Sequence, residues 1–217
     1  MSVIFHYSTI FVAVVMSVLQ NLMRKKMEEV PEIQTKQQVW YFRLLPFALL
    51  AVAVWLPLAD GELDILAAWR ALMMLSMLWM IAYIDYREHL IPNRALLIAL
   101  VMRAVVFVCE MAMDASDALT EIAGELIVCL VLLAFCWLLR FLSRKGIGMG
   151  DVKLFAVLPL FFGPMGSLRV TMYALIIIFV QSCFCLILKK KGRKDVLPFA
   201  PAASGGAWIY VILSVFL

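Results

Sequence analysis

Charge is what this chain has least of. Of its 217 residues only 16% are Asp, Glu, Lys or Arg, where a soluble domain averages about 25%. That shortage excludes an ordinary soluble enzyme. Histidine is scarcer still: His6 and His89 are too few for most metal constellations. The five cysteines (Cys109, Cys129, Cys136, Cys183 and Cys185) all fall inside apolar runs and form no CxxC pair. They read as small apolar side chains, and no metal site is expected. A GxxxxGK[ST] string is missing, which excludes a P-loop. The N-terminal stretch MSVIFHYSTIF lacks a basic n-region and a small-residue cleavage site. It reads as a retained span rather than a cleaved signal.

What the chain has instead is apolar length. Hydrophobic residues make up 65% of it, and the mean hydropathy is +1.00. A helix needs about 20 apolar residues to cross a bilayer. Candidate spans lie near 3–23, 40–59, 66–86, 95–113, 122–142, 152–164, 168–188 and 197–217. The expectation is an all-α polytopic helical bundle of about eight spans, with six or seven also compatible. The sixth candidate is short, which calls for tilt or shelter by protein. Two N-terminal spans joined by a short basic loop (1–65) precede a six-helix core (66–217).

The connections alternate in sign. Basic residues crowd the stretches 24–39, 87–94, 140–153 and 189–195, which together hold 15 of the 19 Lys and Arg residues. Acidic residues mark 60–65 and 114–121. With eight spans all the basic stretches fall on one side, which the positive-inside rule makes the cytoplasm. Both termini are then outside, and the net charge of +4 is a signal of topology and of anionic lipid. No nucleic acid is implied, and the oligomeric state is left open.

Two aspartates sit at the cytoplasmic edges of spans. Asp85 ends the third and Asp151 begins the sixth, so the two share one depth. An ionisable residue at membrane depth is a functional candidate by default. Two carboxylates in contact cannot both ionise, so they share a proton. The ionised member can then take a proton from water while the other polarises a carbonyl under attack. Gly146, Gly148 and Gly150 alternate just before Asp151. Glycine permits close backbone approach, and this stretch is expected either to lie extended against a substrate strand or to make a plain interhelical turn. Pro92, in Ile91-Pro92-Asn93, reads as the start of the next span. Lys153 reads equally as a topology charge or as a cation biasing the aspartates. Arg103, Glu110 and Glu125 are expected to pair between spans, and Arg43 and Arg70 to snorkel to head groups.

Three strings carry a resemblance: IDYREHLIPN around Asp85, GMGDVKLFAVLPLFFGP around Asp151, and LPFAPAASGGA before the last span. Together, in this order, they resemble the prepilin peptidases, the type IV leader peptidases of the GxGD aspartyl protease group. The resemblance covers about 66–217. It implies an inner-membrane aspartic endopeptidase, with its site facing the cytoplasm, that removes the short basic leader of type IV prepilin or pseudopilin precursors just after a glycine. Asp85 and Asp151 would be the catalytic pair, with no metal and no cofactor. Gly148 and Gly150 would shape the site, and Pro92, Lys153, Pro198, Phe199 and Pro201 would support it. Many bacterial members carry a cysteine-paired methyltransferase domain after the first span. Here that place holds RKKMEEVPEIQTKQQ, so methyltransferase activity and S-adenosylmethionine binding are not expected. The presenilin and signal-peptide-peptidase group also shares a GxGD aspartate, but this chain lacks a Pro-Ala-Leu string. A transporter or scaffold using the two carboxylates for ion handling is the non-enzymatic alternative.

Overall fold

The computed structural model describes residues 2–27, 44–52, 65–142, 148–188 and 197–216. Residues 28–43, 53–64, 143–147 and 189–196, and with them Arg43 and Gly146, lie outside the described residues. All the described secondary structure is helical: α1 (Ser2–Met27), α2 (44–52), α3 (Ile65–Glu88), α4 (Asn93–Met113), α5 (Ala115–Leu142), α6 (Met149–Ile187) and α7 (Ala200–Phe216). Of these, α3, α4, α5 and α6 are long and apolar enough to cross a membrane.

The count differs from eight because the sixth and seventh expected spans belong to one element. α6 bends at Gly163, which takes φ 68° and ψ 176°, a conformation that only glycine adopts without strain. Pro164 follows immediately and cannot continue the hydrogen-bond ladder. The bend returns the chain: Leu175 and Ile178, late in α6, line the same cavity as Asp151 near its start. α6 is therefore a two-armed hairpin. Its short first arm is sheltered by protein, as its length requires, with Val152, Leu154, Phe155, Leu158 and Phe161 all buried.

α3 is the central helix. Met74, Leu75, Met77, Leu78 and Ile81 are fully buried or nearly so, and they join one core cluster with residues of α1, α2, α4, α6 and α7. α1 lies along it, with the Trp69 indole donating to Ser8 and Gln20 donating to the Ser76 carbonyl. The second arm of α6 and α7 approach backbone to backbone. A Cβ at Gly206 would stand 2.7 Å from the Val170 carbonyl oxygen and 2.8 Å from the Ala174 nitrogen. Such small-residue contacts suit helices that gain no hydrophobic drive from lipid. α4 and α5 keep outward faces of large apolar side chains, among them Leu97, Val101, Val105 and Val108 on α4. Apolar faces of that extent fit a hydrocarbon surrounding.

At the end of the bundle away from the aspartates the structure holds a buried charge cluster. Arg103 donates to Glu110 and to Glu125, both at 2.8 Å. Arg70 donates to Glu125 at 2.5 Å and lies 3.5 Å from Glu110. The pairing expected of Arg103 is present. Arg70 does not snorkel: it is 7% exposed and joins the same cluster, because two glutamates inside the bundle offer it closer partners than head groups do.

Candidate active site

α3 carries Asp85 to its last turn and stops. His89 takes φ 51°, a left-handed cap, and its N–H closes on the Asp85 carbonyl at 2.9 Å. The chain then crosses Leu90 and Ile91 and starts α4 with Pro92 as its N-cap. Asp85 is 4% exposed, and its carboxylate is met by the start of another helix. Its Oδ2 accepts the N–H of Ala200 at 2.9 Å, and the N–H of Phe199 also points to it. The Ala200 amide is the first of α7 and the Phe199 amide immediately precedes it, so neither has a partner within the helix. Asp85 thus caps α7 from a distance in sequence, with the positive end of the helix dipole facing it.

Asp151 lies in the first turn of α6, three residues after the N-cap Gly148. Its carboxylate turns back toward the Gly148 N–H, the reach of a capping-box acid. The two glycines of the motif answer to two different neighbours. A Cβ on Gly148 would come within 2.9 Å of the Asp151 carboxylate oxygen. A Cβ on Gly150 would come within 2.8 Å of the Ile91 Cβ. Gly150 already belongs to the helix, so residues 149–151 do not form the extended strand that the glycine spacing suggested. The helix begins at Met149, and just before it Gly148 keeps extended angles (φ −64°, ψ 142°).

Asp85 and Asp151 face one cavity of about 620 Å³ and are near enough to repel one another electrostatically. Gly148, Gly150, Lys153, Pro198 and Phe199 also line it. Phe199 stacks on Phe155, one helical turn beyond Asp151, with ring centroids 4.5 Å apart. That stack fastens the start of α7, and so the amides at Asp85, to the helix that carries Asp151.

Two of the expected supporting residues stand outside the cavity wall. Pro92 serves as the α4 start, with its carbonyl accepting from Ala95 at 3.1 Å. Pro201 occupies the first turn of α7, where a missing N–H costs nothing. Lys153 donates to the Asn93 side chain at 2.9 Å, joining α6 to α4 at the cavity rim. Sequence reasoning missed Ile91, Phe155, Leu175 and Ile178 as wall residues. Phe155 had a signal, its spacing of four from Asp151 on one helix face. The others are apolar residues among apolar residues.

Chemically, the cavity holds two carboxyl groups on separate helices, held by backbone amides, in a space of about 620 Å³. Residues 72–189 match the model of the type IV leader peptidase family. The match includes Asp85, Gly148, Gly150 and Asp151 and ends before Pro198. The chain is also similar to the Prepilin leader peptidase/N-methyltransferase of Bacillus subtilis (strain 168), 26% identical over 138 residues, which make up 63% of this chain and 52% of the relative. The match therefore spans about half the length of that relative. No solved structure matches the chain.

Proposed function

The chain belongs to the type IV leader peptidase family, and from that premise we propose that it is a membrane aspartic endopeptidase acting on prepilin-like precursors. The observation that carries this reading is the shared cavity of Asp85 and Asp151, each carboxylate held at the start of a helix. One carboxylate takes a proton from water as the hydroxyl adds to the scissile carbonyl carbon. The other carboxyl gives its proton to the carbonyl oxygen. As the tetrahedral species collapses, the C–N bond breaks, the amine leaves with a proton from one carboxyl, and the other carboxylate takes a hydroxyl proton of the intermediate, which returns the pair to one shared proton. The proton inventory belongs to the pair, so acid and base are not assigned singly.

The substrate class is a short basic leader ending in glycine, followed by an apolar helix that sits in the bilayer. A helix anchored beside the enzyme raises the local concentration of the cleavage site. The basic stretches of the sequence support a site that opens on the cytoplasm. Residues 66–217 carry the peptidase core. Methyl transfer is not part of the proposal.

The test is cleavage of a synthetic precursor by the purified protein in lipid vesicles, read by mass spectrometry. The expected product begins at the residue after the glycine. A folded protein that leaves this precursor intact overturns the reading.

A further inference from the structure

A second concavity, of about 390 Å³, runs along the outside of the bundle between α4, α5 and the first arm of α6. Its wall is apolar: Leu97 and Leu100 from α4, Leu133 from α5, Ala156 and Leu160 from α6. Leu97, Leu100 and Leu133 are 61%, 41% and 41% exposed, so this wall is open on its outer side. Its upper edge is made by Asn93 and Lys153, which also form the wall of the aspartate cavity. The two spaces meet at the Lys153–Asn93 hydrogen bond.

We propose that this groove docks the apolar helix of the precursor, and that the Lys153–Asn93 bridge is the sill its N-terminal end crosses to reach Asp85 and Asp151. This rests on the peptidase reading above. The geometry argues for a helix. From Asn93 to Leu100, and from Lys153 to Leu160, is two helical turns, so the groove descends about 10 Å from the rim of the site. The wall below the rim is apolar and gives an occupant's backbone no side-chain partners. A polypeptide there must satisfy its own amides, which in hydrocarbon means a helix. The end of that helix then stands at the cavity rim, and the next residues of the chain enter the cavity without a linker. A peptidase that cuts immediately before an apolar helix needs that juxtaposition. Small Ala156, at the groove floor and 5% exposed, leaves room for the side chains of the incoming face.

The experiment places a photo-cross-linking amino acid at Leu97 or Leu133 in the Asp151→Asn protein, with the helix-bearing precursor in the same vesicles. Val18, 53% exposed on α1, is the control position. Adducts with the precursor at Leu97 and Leu133, at least several-fold above those at Val18, are the expected result. Equal yields at Val18, or groove adducts made only with lipid or with a second copy of the chain, overturn the groove. A kinetic arm uses Leu97→Trp and Leu133→Trp, which fill the groove from exposed positions. KM for the helix-bearing precursor should rise about tenfold with kcat unchanged, the scale of about 1.4 kcal/mol of lost binding. Unaltered KM in both variants overturns the groove while leaving the peptidase intact. Failure of the wild type to cleave overturns the peptidase reading instead.

Discussion

Phe199 lies on Phe155 with a centroid separation of 4.5 Å and an interplanar angle of 28°. The contact ties two stretches that flank the two aspartates: Phe155 follows Asp151 by one turn, and Phe199 precedes the amide that Asp85 accepts. Phe199→Leu keeps most of the apolar volume and removes the ring stack. The expected loss is about 0.5–1.5 kcal/mol of stability. Cleavage should fall by more than that loss explains, because the α7 start no longer holds Asp85 in register. Thermal unfolding and cleavage rate, measured on the same preparation, check it. A stability loss with full activity would assign the stack to packing alone.

Asp85→Asn and Asp151→Asn each keep an acceptor oxygen where a backbone amide needs one. Both variants should therefore fold. Each should lose at least ~100-fold in cleavage rate, the lower range for a removed acid or base. The double variant should be no worse than either single one, since the two groups act as a unit. Additive losses in the double variant count against a shared mechanism.

Three glycines separate three physical causes. Gly163→Ala meets no atom within 4 Å and tests only its φ of 68°; the expected cost is about 1–3 kcal/mol. Gly150→Ala tests packing against the Ile91 Cβ: Ile91→Gly in the same chain removes that atom and should recover part of the loss, whereas Ile91→Ala keeps it and should not. Gly148→Ala pushes directly on the Asp151 carboxylate. It should lower the cleavage rate far more than the melting temperature. Equal damage to both in Gly148→Ala would remove that glycine from the site.

The depth of the aspartates was legible because topology is written in charge. Basic stretches alternate with acidic ones along the sequence, and that alternation sets Asp85 and Asp151 at one level, as the cavity they share requires. The short sixth span was legible too, as a length too small for hydrocarbon. Its union with the seventh was not, because hydropathy is blind to the φ of Gly163. The wall residues were hidden for a related reason. In a chain that is 65% hydrophobic, Leu175 and Ile178 differ in no way from residues that face lipid. Arg70 was misjudged because snorkelling needs only a nearby span end, whereas its actual partners, Glu110 and Glu125, come from two other helices.

Those partners make a prediction of their own. Arg103 is 3% exposed and Glu125 is 1% exposed. Arg103→Met leaves two buried glutamates with Arg70 as their nearest cation, and the expected cost is about 3–5 kcal/mol. Arg103→Met with Glu125→Met removes opposite charges together and should recover much of it. Denaturant unfolding in lipid or detergent reads both. Similar losses in the single and double variants would mean that packing, and not charge, dominates there.

Asp114 sets a pH dependence at the opposite end of the bundle from the aspartate cavity. It stands just before α5, fully exposed. Its carboxylate accepts the N–H of Asp117 at 3.2 Å, and the hydroxyl and N–H of Ser116 at 2.8 and 2.9 Å. These bonds, the Asp117 amide foremost, hold its pKa below the ordinary 3.8. A depressed carboxylate stabilises the fold at every pH above its ordinary value. That stabilisation is lost as pH falls from 3.8 through the lower folded value, when the proton displaces the accepted bonds. Hydrogen exchange at the Ser116 and Asp117 amides should therefore lose protection in that acid window. Asp114→Asn keeps an acceptor that does not titrate there, and its protection should stay flat across the same range. Wild-type protection that is equally flat would show that Asp114 does not cap α5 through its charge.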